Sequence, residues 1–131
     1  MKNKLMIAVA AAVLMLGILS GCGSGGAGGQ GQDPAAVKIE LVSDPSPASV
    51  KQNTKLIAEI TGLITEKDAN VQFDVRRENN EGLPEFLETK AEGKGRYTAE
   101  TTFDKPGEYA IYIHLYQGEL HITKKRPLTV Q

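Results

Sequence analysis

The chain of 131 residues has no tryptophan, two histidines and a single cysteine, and its three methionines, Met1, Met6 and Met15, all fall within the first fifteen positions. One cysteine excludes an internal disulfide framework. A formal net charge of −1 excludes the basic footprint that nucleic acid demands, so no nucleic-acid partner is expected. Also missing are a Gly-x-Ser-x-Gly elbow, a Walker loop and a His-Glu-x-x-His pair. Without them, hydrolytic and phosphate-cradling chemistries lack their parts. Carboxylates are plentiful, but none is paired at a spacing that separates an acid from a base. The expectation is a protein that is not an enzyme, with no catalytic residue.

What is present begins with Lys2 and Lys4, followed by an apolar run from Leu5 to Leu19. That run is short for a permanent span, which needs about 20 apolar residues. A basic start and a short greasy segment have the shape of a secretory signal peptide, placed at residues 1–21. The next residues, Leu19, Ser20, Gly21 and Cys22, resemble the lipobox of bacterial lipoproteins. The resemblance implies cleavage before Cys22 and a diacylglyceryl thioether on its sulfur. Two acyl chains anchor stably where one is marginal, at about 0.8 kcal/mol per buried methylene. The implied location is the extracytoplasmic side of a cell membrane, with that membrane as a partner through the Cys22 anchor. The plainer alternative is an ordinary exported thiol, free or in an intermolecular disulfide.

Residues 22–36 read as a tether, because half the positions from Gly23 to Pro34 are glycine and none is large and apolar. Such a segment cannot offset its ordering entropy by burial and is expected to be a flexible coil spanning about 20 Å. Removal of Lys2 and Lys4 leaves 13 basic against 16 acidic residues, a net charge of −3.

From Val37 to Gln131 the hydrophobic period is two. Val37, Ile39 and Leu41 alternate with Lys38 and Glu40; Val71, Phe73 and Val75 with Gln72, Asp74 and Arg76. Tyr97 to Phe103 and Tyr109 to Leu115 repeat the pattern, Leu56 to Thr61 reads as another strand, and Leu120 to Thr123 with Leu128 to Val130 as an interrupted last one. Turn-forming clusters separate them at "DPSP", "ENNEGLP", "EGKG", "KPGE" and "QG". In "KPGE", Pro106 and Gly107 fit the two central positions of a type II turn. About seven short strands so spaced predict an all-β, antiparallel sandwich of immunoglobulin type over residues 37–131. Tyr109 is placed to form the tyrosine corner of such sandwiches, although their disulfide and core tryptophan are absent.

Val71, Phe73 and Val75 are followed by Gly95, Tyr97, Ala99, Phe103, Pro106, Gly107, Tyr109 and His114, and then by His121, Lys124, Lys125 and Val130. In carrying these residues in this order, the chain from about Ala69 to Val130 resembles the YtkA-like domain of bacterial envelope lipoproteins. The resemblance implies an immunoglobulin-like, surface-tethered module with no established enzymatic activity. Members often carry a methionine beside the second histidine, whereas "HITKK" has none.

The histidines offer the one candidate metal site. If Gln117 and Gly118 form a two-residue loop, His114 faces His121, Ile113 faces Ile122, and Leu115 faces Leu120. Both imidazoles then share one face, with Cβ atoms about 5 Å apart, flanked by Tyr112 and Tyr116. Such a pair can chelate Cu(II) or Zn(II) with help from carboxylate or water, or can be a solvated cross-strand pair resting on the tyrosines. Apart from that possible Cu or Zn, no cofactor is expected. Tyr112 and Tyr116 are also candidates for a face that docks an envelope protein, against the alternative that tyrosines simply suit strands. Lys124 to Arg126 reads either as a contact for anionic lipid or polymer or as charge guarding a sheet edge.

Overall fold

A computed structural model of the chain describes residues 31–131. The expected signal peptide, Cys22 and the tether up to residue 30 lie outside the described residues. Eight strands follow one another: β1 (Lys38–Asp44), β2 (Asn53–Thr61), β3 (Asn70–Arg77), β4 (Glu85–Glu88), β5 (Lys90–Gly93), β6 (Arg96–Thr102), β7 (Gly107–Gln117) and β8 (Leu120–Val130). They form two four-stranded sheets, in the orders β1-β2-β6-β5 and β4-β3-β7-β8, with every paired neighbour antiparallel. Read as A to G with an added C′, this is the ABED and C′CFG arrangement of an immunoglobulin-type sandwich. The expected all-β sandwich is therefore present, with one strand more than expected.

Alternation places the core. Ile39, Leu56, Val71, Phe73, Ile111, Ile113 and Leu115 are almost completely excluded from solvent between the sheets. Each strand's intervening residues face outward, because successive side chains point to opposite faces. At the entrance to β7 the Tyr109 hydroxyl donates to the carbonyl of Lys105 at 2.8 Å, the expected corner. Phe103 meets the Tyr109 ring edge-on at a centroid distance of 4.8 Å, and the Arg77 guanidinium lies 5.4 Å from its centre.

Three details differ from the sequence reading. The type II turn expected at Pro106–Gly107 is absent: the chain bends at Asp104 and Lys105, and Gly107, at φ 129°, already opens β7 against Val130. The last strand is continuous through Pro127. It is a sheet edge, where a residue without an N–H leaves no ladder bond unmade on the open side. Finally, the hairpin between β7 and β8 closes one residue later than expected. Gln117 pairs with Leu120, so Gly118 and Glu119 form the loop. Gly118 takes φ 56°, as the first central position of a type II′ turn requires. Gln117 is held in the ladder because its side-chain amide donates to the carbonyls of Thr65 and Lys67, at 2.9 and 2.7 Å.

The last residues before β1 also pack on the domain. Pro34–Ala36 form a single 3-10 turn capped by the Asp33 carboxylate. The Gln32 amide donates to the carbonyl of Gly62, and its oxygen accepts from the Ile64 N–H. The chain thus enters the fold at the same pole as the β7–β8 hairpin, whose Gln117 grips the adjoining 65–67 segment.

Candidate functional site

The later closure shifts the hairpin register by two residues. His114 faces Thr123, Leu115 faces Ile122, Ile113 faces Lys124, and His121 faces Tyr116. The directly opposed His114–His121 pair, and the expected Ile113–Ile122 and Leu115–Leu120 pairs, are therefore corrected. A slip of two preserves the faces, since side chains alternate with period two. Both imidazoles remain on the outer face of the β4-β3-β7-β8 sheet, now as diagonal neighbours.

The diagonal brings them close. Their ring centroids are 5.7 Å apart, and His114 Nδ1 stands 3.5 Å from His121 Nε2. Thr123 Oγ1 joins them, 2.9 Å from His114 Nδ1 and 3.3 Å from His121 Nε2. A hydroxyl has one proton, so Thr123 can donate to one ring nitrogen while accepting from the other. Thr123 was not singled out in the sequence. Its signal was available, since a hydroxyl two residues after His121 on a strand must share its face.

Tyr116 flanks the cluster, stacked on His121 at 4.3 Å and near-parallel to His114 at 6.2 Å. Tyr112 lies further along β7 between two cations, with Arg76 at 5.3 Å and Lys125 at 6.0 Å from its ring centre. The structure therefore brings both tyrosines and both histidines onto one face, in two adjoining groups.

The surrounding charges are internally matched. The buried Asp74 carboxylate accepts three hydrogen bonds from Arg76, the shortest 2.6 Å. Lys125 donates to Glu78 at 2.7 Å, and Gln72 donates to Glu88. The Asp74 ion pair holds the Arg76 pKa above its ordinary value, and the Glu78 contact does the same for Lys125. Arg126 donates to the Ile39 carbonyl at 2.7 Å, tying β8 to β1 across the open edge. Two of the three charges in the basic run are thus engaged within the domain, which fits edge protection better than an anion site.

Burial pushes the His114 pKa below its ordinary 6.5; Asp74 opposes this, and His121 and Arg76 reinforce it. The unfolded chain therefore holds this proton more tightly than the folded one. This part of the stability is complete above pH 6.5 and is lost as the pH falls below it. The denaturation midpoint of His114→Gln should accordingly fall less than that of the parent between pH 7.5 and pH 5, in otherwise identical buffers. Equal slopes for both proteins would contradict the assignment.

Among the described residues, no group of three or more His, Cys, Asp or Glu is placed to hold a metal ion. The pair alone offers two nitrogens and a neighbouring hydroxyl. Among the same residues, no helix is long and apolar enough to cross a membrane.

Residues 31–114 match the profile of the YtkA-like family. The chain belongs to that family. The match stops at His114, so in this YtkA-like protein the strand carrying His121 and Thr123 lies beyond the matched segment. The chain matches no curated protein. The positions that carry the YtkA-like resemblance acquire physical roles here. Val71, Phe73, Tyr97 and Phe103 fill the core, Tyr109 makes the corner, and Gly95 allows two backbones to touch.

Proposed function

We propose that this YtkA-like protein is a non-enzymatic binding module of the cell envelope, tethered to the extracytoplasmic side of a membrane by acylated Cys22. The tethering rests on the lysine-led apolar segment, the Leu19–Cys22 motif and the glycine-rich stretch that follows. The observation that carries the binding role is the outer sheet face itself. Tyr112, His114, Tyr116 and His121 lie together there, among polar groups that are already paired with one another. Aromatic side chains with a satisfied polar rim are what protein-binding patches contain. The test is capture of a membrane partner by the full chain. Tyr112→Ser with Tyr116→Ser should abolish capture and leave the circular dichroism spectrum unchanged; undiminished capture would remove this face from the account.

A second reading, metal handling by His114 and His121, is favoured by one distance. Two nitrogens bound at about 2.0–2.1 Å to one tetrahedral ion stand about 3.3–3.4 Å apart. The ring nitrogens stand at 3.5 Å. Titration with Cu(II) and Zn(II) tests this, and an affinity unchanged in the His114→Ala, His121→Ala double variant would eliminate it.

A further inference from the structure

Zinc bound structurally takes four protein ligands, and here one chain offers two imidazole nitrogens, with no third His, Cys, Asp or Glu grouped with them among the described residues. The two nitrogens are nevertheless set at nearly the separation of two corners of one coordination tetrahedron. Their placement is the opposite of an enclosed site. His121 is exposed on β8, the outermost strand of its sheet, and His114 sits on the adjacent β7. Among the described residues, no further strand lies beyond β8 to supply the missing ligands.

The geometry points to a half-site: we propose that His114 and His121 bind a Zn(II)-class divalent ion between two copies of this chain, each copy giving two imidazoles to a four-nitrogen shell. This rests on the metal reading of the histidine pair and adds the source of the remaining ligands. A second copy is the occupant that the ligand count favours, because a two-fold axis through the ion turns two nitrogens into four with no other residue type required. The face also permits self-apposition. The ion pairs Arg76–Asp74 and Lys125–Glu78 cancel within each copy, so bringing two such faces together does not oppose large charges of one sign. Thr123 Oγ1 contacts the same two nitrogens, so its hydroxyl holds the rings toward one another before an ion arrives and gives up both contacts when the nitrogens ligate it. Imidazole is a ligand for zinc and poorly suited to magnesium, which separates this site from nonspecific cation binding.

Native mass spectrometry of the full chain released from detergent micelles reads both mass and metal content. With Zn(II) the expected species is a dimer carrying one zinc per two chains. It should be absent with Mg(II) or after chelation, and lost in His121→Ala, whose exposed side chain can be removed without opening the core. His114→Ala should behave alike, and an unchanged circular dichroism spectrum establishes that each variant is folded. A monomer carrying its own zinc would overturn the bridge while leaving the metal reading intact. Failure of any zinc to bind would overturn both. A dimer indifferent to zinc, or one retained in the folded His121→Ala protein, would overturn the half-site.

Discussion

Gly95→Ala is expected to lower the stability of the domain by about 2–4 kcal/mol, from backbone strain together with a distorted ladder bond. Gly95 has φ 73° and follows Lys94 at φ 53° in the two-residue loop between Gly93 and Arg96, where both central residues need positive φ. At this turn the β5–β6 hairpin presses on β2. The Gly95 carbonyl accepts from the Ile60 N–H at 2.8 Å, and the Gly95 N–H donates to the Glu66 carboxylate. A Cβ added there would lie 2.0 Å from the Ile60 carbonyl oxygen, so backbone must move. Gly93→Ala is the matched control: its φ is 83°, but nothing lies within 4 Å of the added carbon. It should lose only the conformational part, about 1–2 kcal/mol. Urea midpoints of the two variants separate close approach from strain, and equal losses would show that the contact with Ile60 carries no weight.

Phe73→Ala should cost about 3–5 kcal/mol, the usual range for removing a buried aromatic ring and leaving a cavity. Phe73 is 0% exposed and is the largest of the fully buried side chains, on β3 between β4 and β7. Domains of this kind keep only about 5–15 kcal/mol in total, so the variant should unfold at much lower denaturant concentration. Phe86, opposite Asp74 on the edge strand β4, is 59% exposed. Phe86→Ala should stay within about 0.5 kcal/mol of the parent, as surface substitutions generally do. Similar losses at the two positions would mean that the core is not centred on Phe73.

These two phenylalanines also show what was legible in the sequence. Phe73 sits in an alternating run whose inward residues are buried and outward ones polar, so the period of two was visible. The same holds for β1, β6 and β7. Phe86 sits in β4, where almost every residue is exposed, and β5 is exposed throughout. An edge strand with neither face buried leaves no hydrophobic period to read, and both strands were absent from the sequence reading for that reason. The His and Tyr cluster was legible to the correct face because alternation fixes parity. Its internal register was not, because it depended on whether Gln117 belongs to the loop or the ladder. That is decided by the carbonyls of Thr65 and Lys67, some fifty residues away in sequence. Thr123 entered the cluster through that same shift.

We propose that this YtkA-like sandwich works through one face, the one bearing Tyr112, His114, Tyr116 and His121. The most direct measurement places a photo-crosslinking side chain at Tyr116, and separately at Glu100 on the outer face of the other sheet, in the full chain within intact cells. Defined adducts are expected from position 116 and none from position 100. Adducts formed equally from both positions, or from position 100 alone, would contradict the proposal.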